Sequence, residues 1–358
     1  MSAPCICRMP PQNGPEQKSS WVEDILKQLP LANKTAVWGT LGTIRPHLSF
    51  EVEKDVQSLL GAVSRKGVQY GTIIDLLTNR SNGQRQQIAE EFQDFTQQNL
   101  LETLQAALSG NLEGIIVGLL RPAAQFDAHE IKAAMMKGPE GDTLTEILST
   151  RTNQQLREIS DFYHHDFKSE LEEDIASETC GCLKGLLLAL IKGNRERYTG
   201  VIDYFLIEED TKALVDARSV DRDRLDESPW ISILAQRSPE HLNRVFRQYH
   251  KTTGLQIEEA MTRYFQGNAQ KAGLTLASVL RNTPLYFAKK LFQAVKSPEG
   301  TNHKTLARIL ISRSELDLLS IRAEFRKHYG ISLYSFFQTK MKGDYQAALL
   351  GLCRAEDL

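Results

Sequence analysis

Leu310–Phe325 reads LISRSELDLLSIRAEF, and its opening recurs through the chain. Leu, two further residues, Arg, then Ser or Thr stand at Leu77–Ser81, Leu148–Thr152, Leu234–Ser238 and Leu310–Ser314. Aligned on Arg80, Arg151, Arg237 and Arg313, the copies stay in register without a gap. At +8 stand Ile88, Ile159, Val245 and Ile321; at +12 stand Phe92, Tyr163, Tyr249 and Phe325. At +30 every copy has Gly (Gly110, Gly181, Gly267, Gly343), and at +39 every copy has Leu (Leu119, Leu190, Leu276, Leu352). The arginines are 71, 86 and 76 residues apart, so the repeating unit is large enough to be a small helical domain.

Each unit reads as about five short helices. Ser81, Thr152, Ser238 and Ser314 are predicted N-caps, because a side-chain oxygen there can accept from the free N–H groups of the next turn. Gln84 and Gln155, three residues on, complete capping boxes, and Pro239 suits the first helical position. Leu156, Leu242 and Leu318 at +5, with the +8 and +12 residues, mark one buried face at helical period; Arg85 departs from the pattern. The repeated Arg is expected at the end of the preceding helix, its charge set against free carbonyls. The +30 Gly is expected to terminate the helix before the one that carries the +39 Leu.

The chain has 358 residues, 25% of them charged, with a net charge of −2, which argues against bulk nucleic-acid binding. It contains no apolar run of bilayer-spanning length. Met1–Pro11 lacks the apolar core of a secretory signal, and Ser2 excludes N-myristoylation. Cys5, Cys7, Cys180, Cys182 and Cys353 are odd in number and lack zinc-site spacing; free thiols in a cytoplasmic protein are the expectation. Residues 1–18 have a disordered composition. Ser20 and Glu23 then open a predicted amphipathic helix with Trp21, Val22, Ile25, Leu26 and Leu29 on one face. That face either packs on the body of the protein or lies in a partner's groove. The expected organisation is a tail at 1–51, repeats at 52–122, 123–192, 208–283 and 284–358, and a connector at 193–207, in an all-α fold.

LTNRSNGQRQQIAEEF, LSTRTNQQLREI, LAQRSPEHLNRVF and ISRSELDLLSIRAEFRKHYG resemble the annexins, as do Phe126–Glu130 and Gly343–Leu350. The resemblance covers the chain from about Asp55 onward, and Trp38–Thr43 narrows it to one vertebrate subgroup. It implies a curved, four-repeat helical disc that meets anionic phospholipid through bound Ca²⁺ on its convex face, with the tail on the concave side.

The family's Ca²⁺ site is a Gly-x-Gly-Thr loop between the first two helices of a repeat, joined by a distant carboxylate. Ca²⁺ takes six to eight oxygens, so loop carbonyls alone do not suffice. Here the loop falls 15 to 12 residues before the repeated Arg and the acid 27 after it. Repeat 1 has Arg65-Lys66-Gly67-Val68 with Ala107; repeat 2 has Met136-Lys137-Gly138-Pro139 with Glu178. Repeat 3 has Arg222-Asp223-Arg224-Leu225 with Tyr264; repeat 4 has Pro298-Glu299-Gly300-Thr301 with Lys340. Only Gly138 and Glu178 belong to one site, and Glu178 reads either as a residual calcium ligand or as a solvated acid at a helix end. Arg65, Lys66, Lys137, Arg222, Arg224, Lys296 and Lys340 are candidates to meet anionic headgroups directly; a solvated basic rim is the other reading.

His164-His165-Asp166 invites a metal reading, but adjacent helical residues point apart. Asp127, Glu130, Glu146, Arg151 and Arg308 match positions that line the polar centre of the annexin disc. There they form a structural ion-pair network or an ion path. No phosphate loop, nucleophile elbow or HExxH supports an enzyme. Two functions follow: a membrane-peripheral phospholipid binder with weak or lost Ca²⁺ dependence, or a Ca²⁺-independent protein-interaction scaffold.

Overall fold

The computed structural model describes residues 41–63, 67–136, 140–217 and 227–355, which form twenty α-helices and no strand. Repeat 1 holds α1 (Val52–Ala62), α2 (Tyr70–Thr78), α3 (Asn82–Thr96), α4 (Leu100–Ala107) and α5 (Gly110–Leu120). Repeat 2 holds α6 (Ala123–Met135), α7 (Gly141–Thr150), α8 (Asn153–Phe167), α9 (Leu171–Glu178) and α10 (Gly181–Ile191). Repeat 3 holds α11 (Tyr204–Asp216), α12 (Glu227–Gln236), α13 (Pro239–Thr253), α14 (Ile257–Tyr264) and α15 (Gly267–Arg281). Repeat 4 holds α16 (Thr283–Lys296), α17 (His303–Arg313), α18 (Leu318–Tyr329), α19 (Leu333–Lys340) and α20 (Gly343–Cys353). The predicted tail helix lies outside the described residues.

Local chemistry accounts for most helix ends. Ser81 and Thr152 accept from the N–H groups of Gln84 and Gln155, and both capping boxes close. Ser238 accepts from the His241 N–H, with Pro239 in the first turn. The fourth expected cap does not form. Ser314 is helical, its hydroxyl donates to the Ile311 carbonyl, and α18 starts only at Leu318 behind Asp317. The reason is tertiary. The Ser314 carbonyl accepts from Ile44 N–H, and the Leu316 carbonyl from Leu41 N–H, so the segment before repeat 1 fastens this turn. Gly42 permits the approach: a Cβ there would lie 2.5 Å from the Glu315 carbonyl carbon.

The +30 glycines also differ from expectation. Gly110, Gly181, Gly267 and Gly343 open the fifth helix of each repeat instead of closing the fourth, with φ between 57° and 66°. The chain reverses there through a left-handed residue, which a Cβ disfavours.

The repeated positions are interior: no residue at +5, +8, +12 or +39 is more than 4% exposed. Burying each such aliphatic or aromatic side chain contributes about 1.5–3 kcal/mol. These residues do not build four separate cores. Repeats 1 and 4 share one apolar cluster, joined by Val279 of α15, and repeats 2 and 3 share the other. Where the two halves meet, polar groups bridge them. Tyr286 Oη donates to Glu146 Oε2 at 2.8 Å, Arg308 Nη2 lies 3.3 Å from Glu146 Oε1, and Lys290 Nζ lies 2.7 Å from Asp142 Oδ2.

Candidate calcium and membrane-facing loops

Each repeat places a loop between its first and second helices, and the described part of that loop turns back onto the first helix. Gln69 N–H donates to the Ala62 carbonyl, Glu140 N–H to Ala134 and Asn302 N–H to Ala294. In repeat 4 the loop tightens further: Gly300 N–H donates to the Ser297 carbonyl at 3.1 Å, with Gly300 at φ 100°. Gly67 in repeat 1 has φ 123°. Arg65, Lys66, Lys137, Gly138, Arg222 and Arg224 lie outside the described residues. Lys296 ends α16, next to the repeat 4 loop, and is exposed. Met136, beside the repeat 2 loop, is 79% exposed, a large apolar side chain that the sequence reading passed over.

The positions for the distant acid fall at the last residue of the fourth helix in every repeat: Ala107 on α4, Glu178 on α9, Tyr264 on α14 and Lys340 on α19. Glu178 and Lys340 are exposed. The helix carrying Glu178 is fixed by Asp174, which accepts from Lys132 of α6, Tyr163 of α8 and Ser169. Desolvation works against the Asp174 charge, but these bonds outweigh it and hold its carboxyl below the usual range. The helix carrying Lys340 is fixed by buried Phe336 and Phe337, and by Gln346, which donates to the Gln338 and Met341 carbonyls. Among the described residues no three His, Cys, Asp or Glu side chains cluster closely enough to hold a metal ion.

The histidine pair at 164–165 divides between partners. His164 Nδ1 pairs with Glu170, whereas His165 Nδ1 and His129 Nε2 both reach Asp166, at 2.8 and 2.9 Å. Gln125 donates to the same carboxylate.

The repeated arginines have a role that the sequence reading missed. Instead of capping carbonyls, three of them clasp an aspartate on the first helix of their own repeat: Arg80 with Asp55, Arg151 with Asp127 and Arg237 with Asp210, each through two nitrogens. The recurring Asp 24 to 27 residues before the Arg was the available signal. Repeat 4 departs: Arg313 pairs with Asp317 and stacks over Phe287.

Of the central polar set, Arg151 and Asp127 join within repeat 2, and Glu146 and Arg308 join repeats 2 and 4. Glu130 Oε2 and Arg308 Nε are buried without a hydrogen bond. Burial raises the Glu130 carboxyl above its usual range, although Lys304 and Arg308 oppose the shift. The arrangement is a ring of fixed charges between rigid halves.

Four five-helix units in this register, with a tight loop after each first helix, define a family. The annexin family model matches residues 54–119, 126–190, 217–276 and 286–352, and the chain belongs to the annexin family. Among its relatives, human Annexin A9 is 54% identical over 346 residues, which span 96% of this chain and 99% of that protein. Mouse Annexin A9 is 55% identical over 341 residues, 95% of this chain and 97% of that one. The solved structure of annexin III matches with a TM-score of 0.84 at 37% identity, over 88% of this chain and 98% of that one. The family is typified by calcium-dependent phospholipid binding. No described helix is long and apolar enough to cross a membrane.

Proposed function

We propose that this protein binds anionic phospholipid surfaces peripherally, with a Ca²⁺ requirement that is weak or lost. The observation that carries this reading is the set of residues ending the four fourth helices: Ala107, Glu178, Tyr264 and Lys340. A Ca²⁺ site built mostly from loop carbonyls needs a carboxylate for charge and for two further oxygens. Ala107 and Tyr264 supply neither, and the Lys340 ammonium repels the cation. The residues therefore do not fit Ca²⁺ in repeats 1, 3 and 4. In repeat 2, Gly138 and Glu178 are the residues that would hold it.

Arg65, Lys66, Lys137, Arg222, Arg224, Lys296 and Lys340 then take over attraction to headgroups, each contributing about 1 kcal/mol near an anionic surface. The exposed Met136 supports the same reading, as an apolar side chain at the edge of a basic loop. Attachment occurs at the cytoplasmic side of membranes. A protein partner at Trp21, Val22, Ile25, Leu26 and Leu29 is compatible with lipid binding and would use the tail.

Sedimentation with phosphatidylserine vesicles, in Ca²⁺ or in chelator, tests the reading. Equal binding in both is expected. Binding only in Ca²⁺ would reject it, and binding in neither would favour the scaffold.

A further inference from the structure

The segment before α1 straps repeat 4 to repeat 1. Leu319 N–H donates to the Leu41 carbonyl, and Thr43 Oγ1 donates to the Leu352 carbonyl at 2.6 Å. Beside this strap lies a cavity of about 670 Å³, lined by Arg45, His47, Asn79, Arg322, Arg354 and apolar residues including Leu319. No carboxylate stands among its described lining residues.

Arg322 is the feature that needs explaining. It sits within α18, is only 7% exposed, and its Nε is buried with no acceptor among the described residues. Removing a guanidinium from water without an anion is unfavourable, and the same low dielectric magnifies its attraction for one. Arg354 is held beside it by the Thr78 carbonyl and Asn79 Oδ1, at 2.9 and 2.7 Å. Those neutral acceptors orient the guanidinium and leave its charge unbalanced. Desolvation lowers both Arg354 and Arg45 from the usual arginine range, as expected for cations lacking enough negative charge nearby.

We propose that this cavity is a binding site for a multiply charged phosphoryl group, with Arg322 as the buried ligand and Arg45 and Arg354 flanking it. Guanidinium forks match phosphate oxygens in pairs, and several arginines balance a dianion better than a single carboxylate. The phosphoryl group can come from a soluble organic phosphate or from a phosphorylated lipid headgroup, and the two sources are separable.

The full chain is titrated calorimetrically with inositol trisphosphate in Ca²⁺-free buffer, and sedimented with phosphatidylcholine vesicles with or without phosphatidylinositol bisphosphate. Saturable binding is expected, with Arg322→Met weakening it by about tenfold or more, the scale of one lost charge-assisted contact. The same substitution should leave thermal stability unchanged or raised, because it removes an unpaired buried charge. Arg45→Gln provides the same binding readout should Arg322→Met fail to fold. Binding in both arms assigns a headgroup; binding of the soluble probe alone assigns a free phosphate. Absence of binding overturns the proposal, as does Arg322→Met lowering stability while binding persists. Binding gained only after Glu356→Gln with Asp357→Asn would give the cavity to the chain's own carboxylates and overturn it too.

Discussion

The Arg313 guanidinium lies 4.8 Å from the centroid of the Phe287 ring, on the helix where the other three repeats present an aspartate to the same arginine. Phe287 is buried and packs edge-on against Tyr286, and Arg313 takes its carboxylate from Asp317, one turn along. The fourth repeat thus exchanges a clasp between helices for a local ion pair and a cation–π contact.

That exchange predicts unequal costs. Arg151 and Asp127 are both nearly inaccessible, so Asp127→Asn strands a buried guanidinium and should cost about 3–5 kcal/mol in urea unfolding. Phe287→Asp should not improve the protein although it restores the pattern of the other repeats. Losing a buried ring costs about 3–5 kcal/mol, more than a clasp returns. A Phe287→Asp variant more stable than the parent would refute this account.

Arg85 stands where the other repeats have Leu156, Leu242 and Leu318, and it pairs with Glu315 of repeat 4 at 2.7 Å. Burial pushes the Arg85 guanidinium down to about 10 despite Glu315, and burial likewise raises the Glu315 carboxyl despite Arg85. For both partners desolvation outweighs attraction. Glu315→Gln alone should cost about 3 kcal/mol, the low end for a broken buried pair because Glu315 is 30% exposed. The double variant Arg85→Leu, Glu315→Gln should recover most of that loss, as read from urea midpoints.

Asp166 supplies a pH signature. Desolvation opposes its charge, but hydrogen bonds from His165, Gln125 and His129 prevail and hold the carboxyl at about 2. A folded-state value below the unfolded one stabilises the protein above the unfolded pKa, and that contribution fades as pH falls toward the folded value. Asp166→Asn should therefore lower the melting temperature at neutral pH. Its deficit relative to the parent should shrink between about pH 5 and pH 2. A deficit independent of pH would mean that packing, and not charge, is responsible.

Calcium gives the fourth test. Any Ca²⁺ response in vesicle binding should come from repeat 2 and disappear in Glu178→Gln, since weak extracellular-type sites already need about 10⁻⁴–10⁻³ M Ca²⁺ with their ligands complete. Lys340→Glu supplies the missing carboxylate opposite Gly300-Thr301 and should create a response in repeat 4. Strong Ca²⁺-driven binding that survives Glu178→Gln would show that the loops have been aligned wrongly with their acids.

Legibility followed range. Three of four caps, both capping boxes and the whole buried stripe were readable, because each depends on residues within one or two turns. Ser314 was misread because what decides its conformation is a strand of chain at Leu41–Ile44, far away in sequence. The left-handed ends of the third helices show the same limit: Gly254 and Gly330 announce them, whereas Gln97 and Lys168 adopt the same φ without any local signal.

By itself the sequence determined the number of repeats, their helices, the residues that face inward and the absence of a carboxylate at three of the four acid positions. All of these are set by periodicity and by hydrogen bonds between near neighbours. Only the tertiary structure decided that repeats 1 and 4 share one core and repeats 2 and 3 the other, that Arg85 meets Glu315 230 residues away, and that Arg322 is left facing a cavity without a carboxylate. Such partners are chosen by how helices stack once the chain closes on itself, and the charge of a residue carries no record of which distant group will neutralise it.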